Sequence, residues 1–291
     1  MSGLTLPRPR CLAAPWLRRL RRNPVSLIAA GIIVLLIAIA AAAPLIAPYG
    51  PDDTDANAAL MGPSWSHWFG ADLYGRDELS RVLYAARVDL AVPLAATAAA
   101  LVVGSLIGML AGYRGGWLDM VLMRAVDAVL AFPALVLAMG LATALGNGTG
   151  TLILVIAVTQ VPTYVRLIRG EILRVRAMEY AEAALTVGNP LRRILFIHLL
   201  PNCLPPLIVQ ATLATGYALL TIATLSFLGL GIQPPASEWG EMTAEGASQM
   251  VTGEWWLFVF PGLAIMLTVL AFNLIGDALR DILDPRMRGV R

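Results

Sequence analysis

Between Ala128 and Val165 the chain carries no charged side chain for 38 residues. As one helix this run would be about 57 Å long at ~1.5 Å per residue, nearly twice the ~30 Å hydrocarbon core of a bilayer. It must therefore fold back, and Gly146-Asn147-Gly148-Thr149-Gly150 supplies a turn near its middle. Ordinary globular domains carry roughly 25% charged residues. This 291-residue chain has 14%, with 58% hydrophobic residues and a mean hydropathy of +0.73. The sequence predicts an all-α integral membrane protein with two of its spans in this one stretch.

The remaining apolar runs complete six spans. Val25–Gly50 is uncharged, and its core, Leu27–Ala47, is long enough to cross a bilayer. Ala41-Ala42-Ala43 resembles a cleavage site, but the run exceeds the roughly 7–15 residues of a signal-peptide core, so it reads as a retained anchor. An acidic, turn-rich segment follows, with Asp52, Asp53, Asp55, Trp65, Trp68 and Asp72, ending in an amphipathic stretch Asp77–Leu90. The second span is Leu90–Tyr113, with Pro93 in its first turns, where a missing N–H is tolerated. The third starts near Leu118, and its Arg124 and Asp127, at i and i+3, are placed to pair. The fourth runs from about Thr151 to Arg166, the fifth over Leu204–Leu228, and the sixth over Trp255–Gly276.

The domain reading is a basic tail at 1–24, a first span at 25–47, an external segment at 48–87, a five-helix transmembrane domain at 88–280 with a charged loop at 171–201, and a tail at 281–291. All 21 basic residues are Arg, and on this topology only Arg76, Arg81 and Arg87 lie outside. The positive-inside rule then places both termini in the cytoplasm. It also puts Cys11 and Cys203 on the reducing side, where a structural disulfide is not expected.

The charged loop, Glu171–Pro201, reads as two short helices joined by a turn. Tyr180, Ala183, Ala184 and Val187 fall on one face, with Glu179, Glu182 and Thr186 on another. Gly188 suits the left-handed position that ends a helix. Asn189 suits an N-cap and Pro190 the first helical position. Leu191, Ile194, Leu195, His198 and Leu199 form a stripe on the second helix, with Arg192 and Arg193 off it, and Pro201 and Pro205-Pro206 are expected to break it.

Glu182-Ala183-Ala184, then Gly188, then His198-x-Leu200-Pro201 resembles the EAA loop of ABC importer permeases, usually EAA-x3-G-x9-I-x-L-P, with His198 in place of Ile. Gly70–Arg81, GADLYGRDELSR, is similar to the G-T-D-x-x-G-R-D-x-x-S-R signature of the same permeases, with Ala71 in place of Thr. Leu225–Pro235 resembles their S-F-L-G-L-G-x-Q-P-P exit from the fifth span, and Asn273–Arg286 their N-L-x-G-D-x-L-R-D-x-L-D-P-R ending. The chain is identified by these motifs as a member of the C-type permeases of dipeptide and oligopeptide ABC importers, in the bacterial plasma membrane.

The resemblance implies a type I importer permease fold with cytoplasmic coupling helices. It implies a sister permease, two ATP-binding subunits that hold ATP and Mg, an external solute-binding protein and a peptide substrate, with no nucleic acid. ATPase coupling is expected at Glu179, Tyr180, Glu182, Ala183, Ala184, Gly188, His198 and Pro201. The external signature is Asp72, Gly75, Arg76, Asp77 and Arg81.

The residues themselves argue against enzymatic chemistry in this chain. No G-x-x-x-x-G-K-[ST] phosphate loop occurs, and His67 and His198 are expected on opposite sides of the membrane. Two His and two Cys, scattered, make no zinc or haem motif, so no cofactor is expected. Thr143, Asn147, Thr159, Gln160 and Thr163 are polar candidates for a path lining, although such residues also join neighbouring helices. Trp239 and the acids Glu238, Glu241, Glu245 and Glu254 are candidates for facing a binding protein. Three rivals remain open: nickel import within the ABC class, an ATP-independent secondary transporter, and a structural scaffold. A secondary transporter commonly carries ionisable residues near the midplane, and the span centres here carry none.

Overall fold

A computed structural model of the chain describes residues 24–283. The basic tail with Cys11, and the Asp284-Pro285-Arg286 end of the C-terminal pattern, lie outside the described residues. The helices are α1 (Pro24–Ile46), α2 (Glu78–Arg114), α3 (Gly116–Leu130), α4 (Ala134–Leu145), α5 (Thr149–Arg176), α6 (Glu179–Thr186), α7 (Leu191–Phe227), α8 (Trp239–Gln249) and α9 (Trp256–Leu283). Among the described residues the only β pairing is an isolated bridge between Ala71 and Asp77.

Five helices, α1, α2, α5, α7 and α9, are long and apolar enough to cross a membrane. α3 and α4 are apolar and long enough only when taken together, and they meet at 87°, the geometry of a broken span or a re-entrant pair. The expected straight third span is thus broken, at Ala131-Phe132-Pro133. Pro133 donates no N–H and biases Phe132 away from helical geometry. Its own carbonyl then opens α4 by accepting from the Leu137 amide at 3.0 Å.

The amphipathic stretch and the second span form one 37-residue helix, α2, rather than two elements. Asp77 caps it, with Oδ2 accepting from the Ser80 amide at 2.8 Å. Midway, α2 presents Gly104, Gly108 and Gly112 to α5, one per turn. A Cβ on Gly104 would lie 2.5 Å from the Tyr164 Cβ, and one on Gly108 would lie 1.9 Å from the Ile168 Cγ2 and 2.5 Å from the Val165 carbonyl oxygen. Bare backbone on one helix is what lets the side chains of the other seat against it, the usual device where lipid removes the hydrophobic drive between helices. Around this seam Tyr164, Ile168, Ile172 and Val175 are fully buried.

Gln160 ties a third helix to the pair. Its Nε2 donates to the Ala214 carbonyl of α7 at 3.2 Å, and its Oε1 accepts from the Thr97 hydroxyl of α2 at 3.4 Å. α9 packs along α7, with Gly216 against Phe272 and Gly276 against Leu213.

The helices run between two unlike ends. One, the acidic end, gathers residues 47–77, the start of α2, α8 and the start of α9, where Trp256 Nε1 donates to the Ala71 carbonyl at 3.4 Å. The other, the hairpin end, gathers the α2–α3 corner, the end of α5, α6 and the start of α7.

The glycine seam predicts a directional contrast. Gly108→Ala should cost about 1–3 kcal/mol through overpacking. Gly140→Ala in α4, where an added Cβ meets nothing within 4 Å, should be neutral or stabilising. Thermal unfolding of both variants in detergent checks this, and equal melting temperatures would contradict the seam.

Candidate functional site: a hairpin at one end and an ionic cluster at the other

The hairpin is built from the end of α5. After Arg176 the chain turns at Ala177 and Met178, and the Ala181 amide donates to the Met178 carbonyl at 2.9 Å to start α6. Gly188 takes φ +77°, the left-handed conformation that a side chain would strain. Helix begins again at Leu191, with Pro190 extended in the cap position. The expected Asn189 cap and Pro190 first helical position are therefore displaced by one residue: Pro190, with ψ near 149°, is itself the cap, and its carbonyl accepts from the Ile194 amide at 3.1 Å.

The second helix does not end at Pro201. It passes through a π-helical stretch, Ile194–Leu199, and continues as α7. The Leu200 amide donates to the Leu195 carbonyl, five residues back. This wider turn accommodates the missing N–H groups of Pro201, Pro205 and Pro206 without a break, a use of π geometry often found at functional positions. Ile194, Leu195 and Leu199 are buried with Ile172, Val175, Ala181 and Cys203, as the apolar stripe predicts. His198 is half-buried, and its Nε2 accepts or donates no hydrogen bond among the described residues.

Among the described side chains of α6, Ala181 alone turns fully inward. Glu179, Tyr180, Ala183 and Val187 are exposed, Val187 at 81%. The face shared by Tyr180, Ala183 and Val187 thus points away from the protein. For Glu182, Ala184 and Leu185 only the helical backbone is described. Pro201 is exposed on the first turn after the π stretch.

Ion pairs brace the frame behind the hairpin. Arg169 of α5 grips Asp119 of α3 with two hydrogen bonds of 2.6 Å, a bidentate geometry. Arg176 donates to the Tyr113 carbonyl at 2.6 Å and lies over its ring. Asp127 pairs with Arg166 of α5, not with Arg124 as its spacing suggested. Tertiary proximity overrides an i,i+3 pairing worth only ~0.2–0.5 kcal/mol.

At the acidic end the external signature residues come together. Asp72 accepts from the amides of Tyr74 at 2.8 Å and Arg76 at 2.9 Å through Oδ1. Its Oδ2 accepts from Arg76 Nε and from Arg81 Nη1 at 2.8 Å. Arg81, fully buried, also reaches Glu245 at 3.0 Å and Glu241 at 3.5 Å on α8. Asp77 accepts from Ser80 and pairs with His67 Nδ1 at 2.9 Å. Gly75 takes φ +75°, and a Cβ there would sit 1.8 Å from the Asp55 carbonyl oxygen. This is a buried ionic network that joins α2 to α8.

Trp239 corrects another expectation. It is 1% exposed, donates from its indole N–H to the Val82 carbonyl at 3.0 Å, and has its amide held by Asp89 at 2.9 Å. Glu238 is fully buried as the cap of α8, accepting from the Gly240 and Glu241 amides. Neither is available to a docking partner. Gln160 is likewise a buried bridge and faces no opening in this conformation, whereas Thr159 is half-buried and Thr143, Asn147 and Thr163 are exposed. Thr143 and Thr159 turn their hydroxyls back onto the carbonyls of Met139 and Ile156. The roles of Glu78, Glu241 and Glu245 were missed in the sequence. The i,i+4 spacing of Glu241 and Glu245, facing no base in their own segment, was the available signal.

The network makes stability depend on pH. Burial, and after it the Glu245 carboxylate, push the Glu241 pKa from 4.5 up to about 8, against the opposing pull of Arg81. Folding raises this pKa, so between about pH 4.5 and 8 the native state binds more protons than the unfolded chain, and stability falls as pH rises. The melting temperature in detergent should drop across that window, and Glu241→Gln should flatten the slope. A slope unchanged in the variant would remove Glu241 as its source.

With this geometry established, comparison with known proteins is informative. Residues 104–289 match the family described as binding-protein-dependent transport system inner membrane component. Residues 14–63 match the N-terminal TM domain of oligopeptide transport permease C. The chain is 42% identical over 278 residues to the dipeptide transport system permease protein DppC of Alkalihalophilus pseudofirmus, covering 94% of this chain and 91% of that one. It is 45% identical over 270 residues to the probable D,D-dipeptide transport system permease protein DdpC of Escherichia coli K12, covering 93% and 90%. It is 41% identical over 293 residues to the glutathione transport system permease protein GsiD of Escherichia coli O6:K15:H31, covering 99% and 96%. The chain belongs to the family of binding-protein-dependent transport system inner membrane components, with the type I ABC permease fold.

Proposed function

We propose that this chain is one of two transmembrane subunits of an ATP-driven importer of short peptides, that it lines the path together with a sister permease, and that it is driven through its hairpin. The acidic end faces outward toward a solute-binding protein, and both termini face the cytoplasm. ATP and Mg are held by two partner ATPase subunits, and hydrolysis takes place there. The relatives named for dipeptides, D,D-dipeptides and glutathione support a small peptide as cargo.

The observation that carries the coupling role is the hairpin's division of labour. Ala181 and the stripe Ile194, Leu195 and Leu199 anchor it, while Tyr180 and Ala183 on a helix of eight residues, and Val187 just after it, are left outward. Gly188 leaves open space where a side chain would project, since an added Cβ meets nothing within 4 Å. Displacement of α6 must act on α5, two residues away, and on α7 through the turn. A nucleotide-dependent partner that contacts α6 differently in two states would therefore bias two conformations of the spans. Glu179 and Glu182 supply acid on the hairpin for a basic or backbone donor of that partner, and Pro201 and His198 set the junction where the hairpin enters α7.

Purification of the tagged chain in mild detergent should recover a sister permease and ATPase subunits, with ATPase activity stimulated by peptide-loaded binding protein. Gly188→Leu should keep the chain in the membrane but abolish that stimulation, and Glu182→Ala should weaken it by about 1–3 kcal/mol, the worth of a charge-assisted bond. Stimulation unaltered in Gly188→Leu would refute hairpin coupling. Uptake by the chain alone, without any ATPase, would refute the importer reading.

A further inference from the structure

The ionic cluster at the acidic end gathers four carboxyl groups around two guanidinium groups. Asp72, Glu241 and Glu245 share Arg76 and Arg81, and Glu78 stands in electrostatic reach of the same two cations. Four acids thus meet two bases. Glu78 is 1% exposed, and its Oε1 has no hydrogen-bond partner among the described residues. A buried carboxylate oxygen without a donor is costly and calls for one.

Beside it is a cavity of about 50 Å³ lined by Asp72, Glu78 and Glu245, with Leu73 and Ser248 at its mouth. Leu73 and Ser248 are exposed, so the cavity communicates with the surface while its Glu78 floor is buried. Its chemistry selects among cations. No three His, Cys, Asp or Glu among the described residues are placed to hold a metal ion together. A planar guanidinium with five donors needs wide, flat acceptors, whereas an ammonium is a compact point charge with three donors on a slender apolar stem. Met242 and Leu257 wall the cavity with apolar surface that suits such a stem. At the mouth Leu73 is half exposed and adds apolar surface.

We propose that this cavity receives the ammonium of a lysine side chain presented by the solute-binding protein, with Glu78 and Glu245 as its acceptors. This rests on the reading that the acidic end faces outward and that the chain works with such a protein. Docking would supply the donor that the buried Glu78 Oε1 lacks, and a binding protein without the lysine would leave it unpaired.

The test uses the complete importer in lipid nanodiscs and measures the affinity of its peptide-loaded binding protein. Glu78→Gln should weaken binding about tenfold, the loss of one charge-assisted bond. Ser248→Trp, which plugs the mouth without touching the buried network, should do the same in a complex whose melting temperature is unchanged. Acetylating the binding protein's lysines should weaken binding to the native importer and add nothing further to Glu78→Gln. n-Butylammonium chloride should compete with docking, while tetramethylammonium chloride at equal ionic strength should not. Unchanged affinity in Ser248→Trp, or equal competition by both salts, overturns the proposal. If the native importer shows no stimulation by the binding protein at all, it is the importer reading that fails, not the cavity.

Discussion

The seam between α2 and α5 is the contact on which the remaining architecture depends. Gly104, Gly108 and Gly112 remove three side chains from one helix so that Tyr164, Ile168 and Ile172 can seat against its backbone. Helices in lipid gain little from burying apolar groups against each other, because lipid tails are as apolar as Leu, so close packing itself must hold them. α5 thereby inherits a fixed position relative to α2 along its length. Its last turns are then clamped by Arg169 on Asp119 and by Arg176 on the Tyr113 carbonyl. The hairpin begins immediately afterwards and so is mounted on a rigid base, while its outward face remains free.

The opposite end is held in a different way. Asp72, Arg76 and Arg81 are almost fully buried and joined to α8 by Glu241 and Glu245. Burying such charges gains little net stability, because desolvation offsets the Coulomb attraction, yet removing one partner typically costs ~3–5 kcal/mol. The network therefore serves to fix which surfaces meet rather than to add stability. Residues 160 positions apart must find each other for Arg81 to meet Glu241, and no other Arg or Lys occurs between 52 and 81 to take the place of Arg76 and Arg81. The Gly75 turn, packed onto the Asp55 carbonyl, brings the Arg76 and Asp72 side chains into register for that meeting.

Much of this was legible along the chain, and the limits follow from what a linear pattern encodes. Uncharged runs revealed the spans because lipid excludes charge whatever the neighbours. The left-handed Gly188 was legible because one backbone angle decides it. The stripe Ile194, Leu195 and Leu199 was legible because helical periodicity survives the π stretch. The 87° break at Pro133 was obscured because its flanks are as apolar as any span, and a proline alone does not distinguish a break from a tolerated kink. Pro201 shows the converse: three prolines pointed to a break, and a wider helical turn absorbed them. Asp127 with Arg166, Trp239 with Asp89, and Arg81 with Glu241 were invisible for a common reason. Each joins residues far apart in sequence, and spacing rules reach only three or four residues.

Two kinds of exposed apolar surface distinguish the chain's environments. Ile28, Val34, Leu35 and Ile37 on α1 stand on a helix without a charge, in surroundings where lipid satisfies them fully. Tyr180 and Val187 on the hairpin are different. The same loop segment exposes Arg174, Arg176, Arg192 and Arg193, which cannot share an apolar lipid phase with them. Such a combination of exposed apolar and charged residues resembles the cut surface of a protein interface rather than a membrane surface. The hairpin is thus a described part of the chain whose composition neither lipid nor water alone accounts for, which is the composition that the proposed coupling role requires.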